Sequence, residues 1–403
     1  MVRAILLLSC LLTLPLFAQE ARDSTRTGTD TLNTASLVFD KLLTNYRWNG
    51  ALLYRQDRGP LAYALNERFT STVLRLGRTL VTDEQHLALT ARYRVAQRVR
   101  IASELSSFIL SDDKGIGISN ASSHAFYGGA EFRPWDELTL EPMLGYRSDN
   151  QIDEHDRGAS YLLRAALAGI DFNGYETQAR GRLQYDRLDP RAVESDSALV
   201  TVRKSFAATS RNAMTFRFTR NRRDFYFAPD DAVRSAYGVS HNIESRAENN
   251  VLIGDPLAYA LTDEASLTFQ GSVLSRHIGR ETRYRTADDA RLATDIDEMR
   301  LEGSAEASVS DGDWFTGVFR MLYQERDERH QAIEDPVYDA AKDIDALQQN
   351  EEEKNNHSQR TMFASTVTML PSRVDTLSLA ASGTILRYDT QSDANTDDRD
   401  ELW

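Results

Sequence analysis

Residues 173–186 read NGYETQARGRLQYD. After the Asn173-Gly174 turn the chain alternates. Glu176, Gln178, Arg180, Arg182, Gln184 and Asp186 fall in one row, and Tyr175, Thr177, Ala179, Gly181, Leu183 and Tyr185 in the other. A period of two predicts a β-strand with one polar and one apolar face. The pattern recurs at 86–95 (HLALTARYRV), 137–147 (ELTLEPMLGYR) and 299–309 (MRLEGSAEASV). Globular strands usually run about five or six residues, and these alternations hold for about twice that length. Eleven residues rising about 3.3 Å each and tilted about 45° span roughly 25 Å, the height of a membrane-barrel apolar band.

Working outward, the spacing predicts fifteen strands: 67–76, 86–96, 99–110, 123–133, 137–147, 160–170, 175–186, 198–208, 213–219, 238–250, 264–276, 298–309, 314–324, 360–370 and 376–388. Short connections (96–98, 134–136, 171–174, 209–212, 310–313 and 371–375) alternate with long polar ones (111–122, 148–159, 187–197, 220–235, 277–297, 325–358 and 389–400). Within 325–358, Ile344, Leu347, Ala340 and Ala341 fit one face of a short helix over 336–348, with Pro336 near its start. The heptapeptide GPLAYAL at 59–65 returns as DPLAYAL at 255–261, a recurring turn sequence or the trace of a duplicated half.

The N-terminus reads MVRAILLLSCLLTLPLFAQEARDS. A basic Arg3, an apolar run and small residues before Gln19 make residues 1–18 a cleaved secretory signal. The single cysteine, Cys10, leaves with it, so no disulfide is expected in the exported chain. The net charge is −14 over 403 residues, and losing Arg3 makes it more negative, which argues against a nucleic-acid partner. After the signal no stretch reaches the roughly 18 apolar residues of a membrane helix, which excludes a helical membrane protein. Residues 19–66 are expected to be a periplasmic lead-in and 67–403 a barrel. The acidic stretch DTQSDANTDDRDELW breaks off as a sixteenth strand begins near Glu401, so the barrel is expected to be incomplete.

Signal, long amphipathic strands and turn–loop rhythm together resemble a bacterial outer-membrane β-barrel across 67–388. The resemblance is to an architecture and to no particular family. It implies an all-β, transmembrane, antiparallel up-and-down barrel of about 16 or more strands, located in the cell outer membrane. Outer-membrane lipid would surround it, and barrel-assembly machinery would act during insertion.

An amphipathic sheet in lipid must close on itself, turning its apolar face to lipid and its polar face to the lumen. The candidate pore-lining residues are therefore Arg92, Arg94, Arg164, Glu176, Arg180, Arg182, Arg217, Arg276, Arg300, Glu302, Glu306 and Arg320. Candidate interface aromatics beside the turns are Trp135, Tyr146, Tyr175, Tyr185, Trp314 and Tyr388. Acidic clusters at 153–156 and 396–401 lack the glycine-spaced geometry of a calcium loop, and they read as solvated charge. Scattered histidines and the absence of any nucleophile, phosphate-loop or zinc signature predict no enzyme, metal or cofactor. The expected activity is porin-like passage of small hydrophilic solutes. The alternatives are a surface barrel whose loops bind a partner and a soluble secreted β-protein.

Overall fold

The computed structural model describes residues 33–76, 78–112, 120–207, 209–286, 293–311, 314–335, 337, 339, 343–371, 375–389 and 399–402. The signal segment 1–18 and the start of the lead-in lie outside the described residues, as do most of 111–122 and 389–400 and the start of the predicted 336–348 helix.

The fold is all-β. Its strands are β1 (Thr34–Leu42), β2 (Asn45–Arg58), β3 (Leu61–Leu76), β4 (Arg78–Ala96), β5 (Val99–Asp112) and β6 (Asn120–Trp135). Then come β7 (Leu138–Gln151), β8 (Glu154–Phe172), β9 (Tyr175–Arg187), β10 (Ala192–Ser205), β11 (Arg211–Phe227) and β12 (Asn242–Ala260). The last six are β13 (Ala265–Thr282), β14 (Ala293–Asp311), β15 (Phe315–Ile333), β16 (Asn356–Met369), β17 (Leu377–Asp389) and β18 (Arg399–Leu402). Two helices, α1 (Asp231–Tyr237) and α2 (Ile344–Glu352), sit in connections. The strands form one sheet, each pairing antiparallel with its neighbours in the chain, so the topology is a simple up-and-down meander.

The fifteen expected strands correspond to β3–β17, and the start expected near Glu401 to β18. Two differences matter. Residues expected as a lead-in form β1 and β2, and β2 pairs along its whole length with β3, so the sheet starts well before residue 67. Several expected long loops are strand. The 148–159 loop shrinks to a hairpin turn at Ile152 and Asp153, both at positive φ, and the 325–358 loop to residues 334–355. The expected helix starts later, at Ile344, because Asp343 caps it by accepting from the Ala346 N–H (3.2 Å).

The PLAYAL repeat falls in opposite settings. The first copy opens β3 and the second closes β12, next to the same end of the sheet. The strands run in opposite directions there, so the copies do not superpose as halves of a duplication.

The two faces differ in the reverse sense to a water-soluble sheet. One face exposes large apolar side chains, among them Phe126 (55%), Leu144 (68%), Tyr161, Leu183, Phe319 and Leu379. On β14 this face reads Met299, Leu301, Gly303, Ala305, Ala307 and Val309, then turns polar at Asp297 and Asp295. The neighbouring strands make the same change at Arg220 on β11, Asn249 on β12, His277 on β13 and Asp327 on β15, which share this face by register. The apolar surface is thus a band about ten residues tall, and the strands run on past it. Asp255 interrupts the band and accepts from Asn212 (2.7 Å).

The opposite face is concave. Adjacent strands lie about 4.8 Å apart, yet side chains three strands apart meet on it. Arg92 on β4 reaches Glu141 on β7 (2.8 Å), Arg164 on β8 reaches Glu104 on β5 (2.5 Å), and Gln184 on β9 reaches Tyr127 on β6 (3.0 Å). Only a sheet bent towards this face allows such contacts. Three register shifts, at Arg94/Ala96, Phe132/Trp135 and Leu167/Ile170, lie in this same stretch, and such bulges bend and twist a sheet. Glycines at the inside of the bend serve the same end. A Cβ on Gly129 would sit 2.1 Å from the Pro142 carbonyl oxygen, and one on Gly145 2.3 Å from that of Phe126.

Candidate functional site

The concave face is built from charged and amide side chains that the two-residue period places there. In the β4–β9 sector they pair off. Glu131 accepts from Arg100 (3.2 Å) and forms an ion pair with Arg92 (3.2 Å), while Glu141 bridges Arg92 (2.8 Å) and Arg164 (3.1 Å). Beside them Ala102, Ala125, Tyr127, Met143 and Leu162 form a buried cluster. Tyr127 donates to Asp186 (3.2 Å), which also accepts from Arg147 (2.5 Å) and Ser160. Side chains therefore bridge the middle of this sector.

From β12 to β15 the pairs join neighbouring strands. Glu298, almost fully buried, accepts from Arg276 (3.3 Å), Arg300 (2.9 Å) and Arg326 (2.9 Å), and Glu306 pairs with Arg320 (2.5 Å). The wall beside them is open. A cavity of about 530 Å³ is lined by Arg300, Gln324, Arg326, Ser358, Arg360 and Tyr388 among others. A larger cavity, about 830 Å³, lies between β3–β7 and β9–β11 and includes Asn66, Ser106, Arg147, Gln184, Asn221 and Arg223.

Each candidate pore-lining residue can now be placed. Arg92 and Arg164 belong to the bent sector's ion-pair network, and Arg94 lines a cavity of about 450 Å³ with Arg55, Arg92 and Arg100. Arg276, Arg300, Glu306 and Arg320 are in the pairs above. Glu302 stands opposite Ser272 and Gln324 on the same face, and Glu176 accepts from Gln178 (2.8 Å). Arg180, Arg182 and Arg217 share the concave face too, by register with Leu199, Ser197 and Arg164. No ion pair to any of these three occurs among the described residues.

Five of the six aromatic candidates, Trp135, Tyr146, Tyr175, Tyr185 and Trp314, are exposed. Trp135, Tyr175 and Trp314 stand at the end of the short turns, Tyr146 and Tyr185 nearer the other. Tyr388 does not join them. It pairs with Ser358 and faces the 530 Å³ cavity, because its even position in β17 falls on the polar row.

The end opposite the short turns holds residues that sequence reading passed over. Arg191, in the β9–β10 connection, has a side chain with 0% exposure; it bonds Asp149 (2.6 Å), Asp156 and the Asp224 carbonyl (3.2 Å), under the ring of Tyr226 (4.8 Å). Burial alone would lower its pKa, but Asp149 and Asp156 together raise it above the usual value. Burial, then Asp156, pushes the Tyr226 phenol well up. The acidic cluster at 153–156 is thereby used, since Glu154 meets His241 (2.8 Å) and Asp156 meets Arg191 and Tyr226. Further round, Arg285 holds the buried Asp339 (2.6 Å), joining the β13–β14 and β15–β16 connections. Local alternation carries no sign of these long-range pairs.

No family model matches the chain, and no curated protein matches it. Among solved structures, a bacterial polysaccharide outer membrane secretin is similar at 12% identity and a TM-score of 0.31, over 86% of this chain and 96% of that one. A likeness of that size carries no argument about what the chain does.

Proposed function

We propose that the chain is an outer-membrane β-barrel whose concave face lines an aqueous path for small hydrophilic solutes. The observation that carries this reading is the reversed polarity of the sheet. Leaving a band of leucine, phenylalanine and methionine in water would cost about 25 cal/mol per Å² of apolar surface, and lipid removes that cost. Charged side chains meanwhile crowd the concave face, where water or partner charges can solvate them. Ion pairs and packed side chains cross the β4–β9 sector between its 830 and 450 Å³ cavities and narrow it, so the solute path runs along β9–β17. Reconstitution into planar bilayers tests the reading. Discrete conductance steps are expected, and silence at every voltage would sink it.

A second reading draws on the buried Arg191 and Arg285 clusters, which give the loop end a fixed shape suited to docking a partner. Deleting 334–355 separates the two readings: solute flux persists if the loops serve docking alone.

A further inference from the structure

Many arginines of the concave face meet a carboxylate, but a track of six across β9, β11, β12 and β13 does not, or barely does. Arg223 on β11 stands directly opposite Arg246 on β12, which stands directly opposite Arg280 on β13. Directly opposed residues have Cβ atoms about 5 Å apart, and like charges there are destabilising. Arg246 has only a 3.6 Å contact with Glu248, a carboxylate already held by Arg276 at 3.0 Å. Among the described residues Arg223 and Arg280 form no ion pair. Glu244, two places further along β12, is outside ion-pair distance of all three. Arg223 also lines the 830 Å³ cavity. Deeper along the same wall come Arg182, then Arg180 and Arg217, which flank Leu199 on either side. They too lack an ion pair among the described residues.

We infer that this track is a binding path for small oxyanions carrying phosphate or carboxylate groups, captured at the Arg223–Arg246–Arg280 row and handed inward past Arg182 to Arg180 and Arg217. Guanidinium forks match such oxygens in pairs. An anion across the row also removes the repulsion that the bare register imposes. A chain of net charge −14 would otherwise disfavour anions, so a locally positive path has to offset that field. The inference deepens the channel reading and rests on it for the inward passage. Binding at the row stands by itself.

The test uses the full-length protein in two measurements. In bilayers under a KCl gradient, the reversal potential should report anion preference and change sign in R223Q/R246Q/R280Q. In detergent at matched ionic strength, inorganic phosphate should raise the melting temperature of the wild type relative to chloride, and the triple variant should lose that rise. The convex-face variant Arg329→Gln should keep both properties. A conducting protein with cation preference, or one whose preference survives the triple change, overturns the inward path and leaves the channel reading standing. Absence of phosphate stabilisation overturns the row as a binding site. Stabilisation without conductance supports the row and refutes the channel.

Discussion

The two halves of the sheet obey one sequence rule and reach different ends. From β4 to β9 the wall folds inward, carries three bulges, places Gly129 and Gly145 inside the bend and joins side chains three strands apart. From β12 to β17 the register is unbroken, ion pairs join adjacent strands, and on the same concave face a Cβ on Gly254 would meet nothing nearer than the Gly271 carbonyl oxygen at 3.7 Å. Alternation alone does not fix curvature. Bulges and missing Cβ atoms do, because the inside of a bend crowds side chains and the outside spreads them.

The most severe way to break this contrast is a side chain inside the bend. Gly145→Val forces a backbone shift against Phe126 and Tyr127 and should cost about 3 kcal/mol or more. Gly254→Val, on the same face of the open half, should stay within about 1 kcal/mol. Urea unfolding of the refolded protein in lipid vesicles measures both, and equal costs would show that the bend is not sterically specified.

The convex face should be indifferent to which half it covers. Leu163→Arg in the bent half and Ala305→Arg in the open half should each lose about 2–4 kcal/mol, the cost of a cation near the bilayer midplane, by the same assay. Asp297→Arg, beyond the band, should change little. A tolerated Ala305→Arg would mean that this surface does not meet lipid.

The smallest effect separates the two kinds of ion pair. Glu141→Gln removes the 7% exposed carboxylate between Arg92 and Arg164, leaving each only its second partner, Glu131 or Glu104, and should cost about 2 kcal/mol. Glu306→Gln breaks one well-exposed pair and should cost less than about 1 kcal/mol. Matching values would place the two sectors in equally wet surroundings.

Much of the fold was legible in advance because a period of two needs only local sequence. Strands 175–186 and 376–388 emerged with nearly their observed limits. Strand ends beyond the apolar band did not, since both faces are polar there and alternation vanishes: Arg223 and Arg280 were read as loop for this reason. β1 and β2 were passed over because residues 34–58 follow a polar leader and alternate weakly. Among the site residues, Arg92, Arg164, Arg276 and Arg300 share the polar, concave face that alternation groups them on, but parity cannot say which guanidinium meets a carboxylate.

For NGYETQARGRLQYD, sequence determined the turn, the strand and the two rows, because each depends on residues within hydrogen-bonding reach along one chain. Tertiary structure decided the rest. Register and curvature bring Gln184 and Asp186 to Tyr127 on a strand three places away, and leave Arg180 and Arg182 on the concave face without an ion pair among the described residues. Those outcomes depend on which strands meet and how sharply the wall bends, and no single strand encodes either.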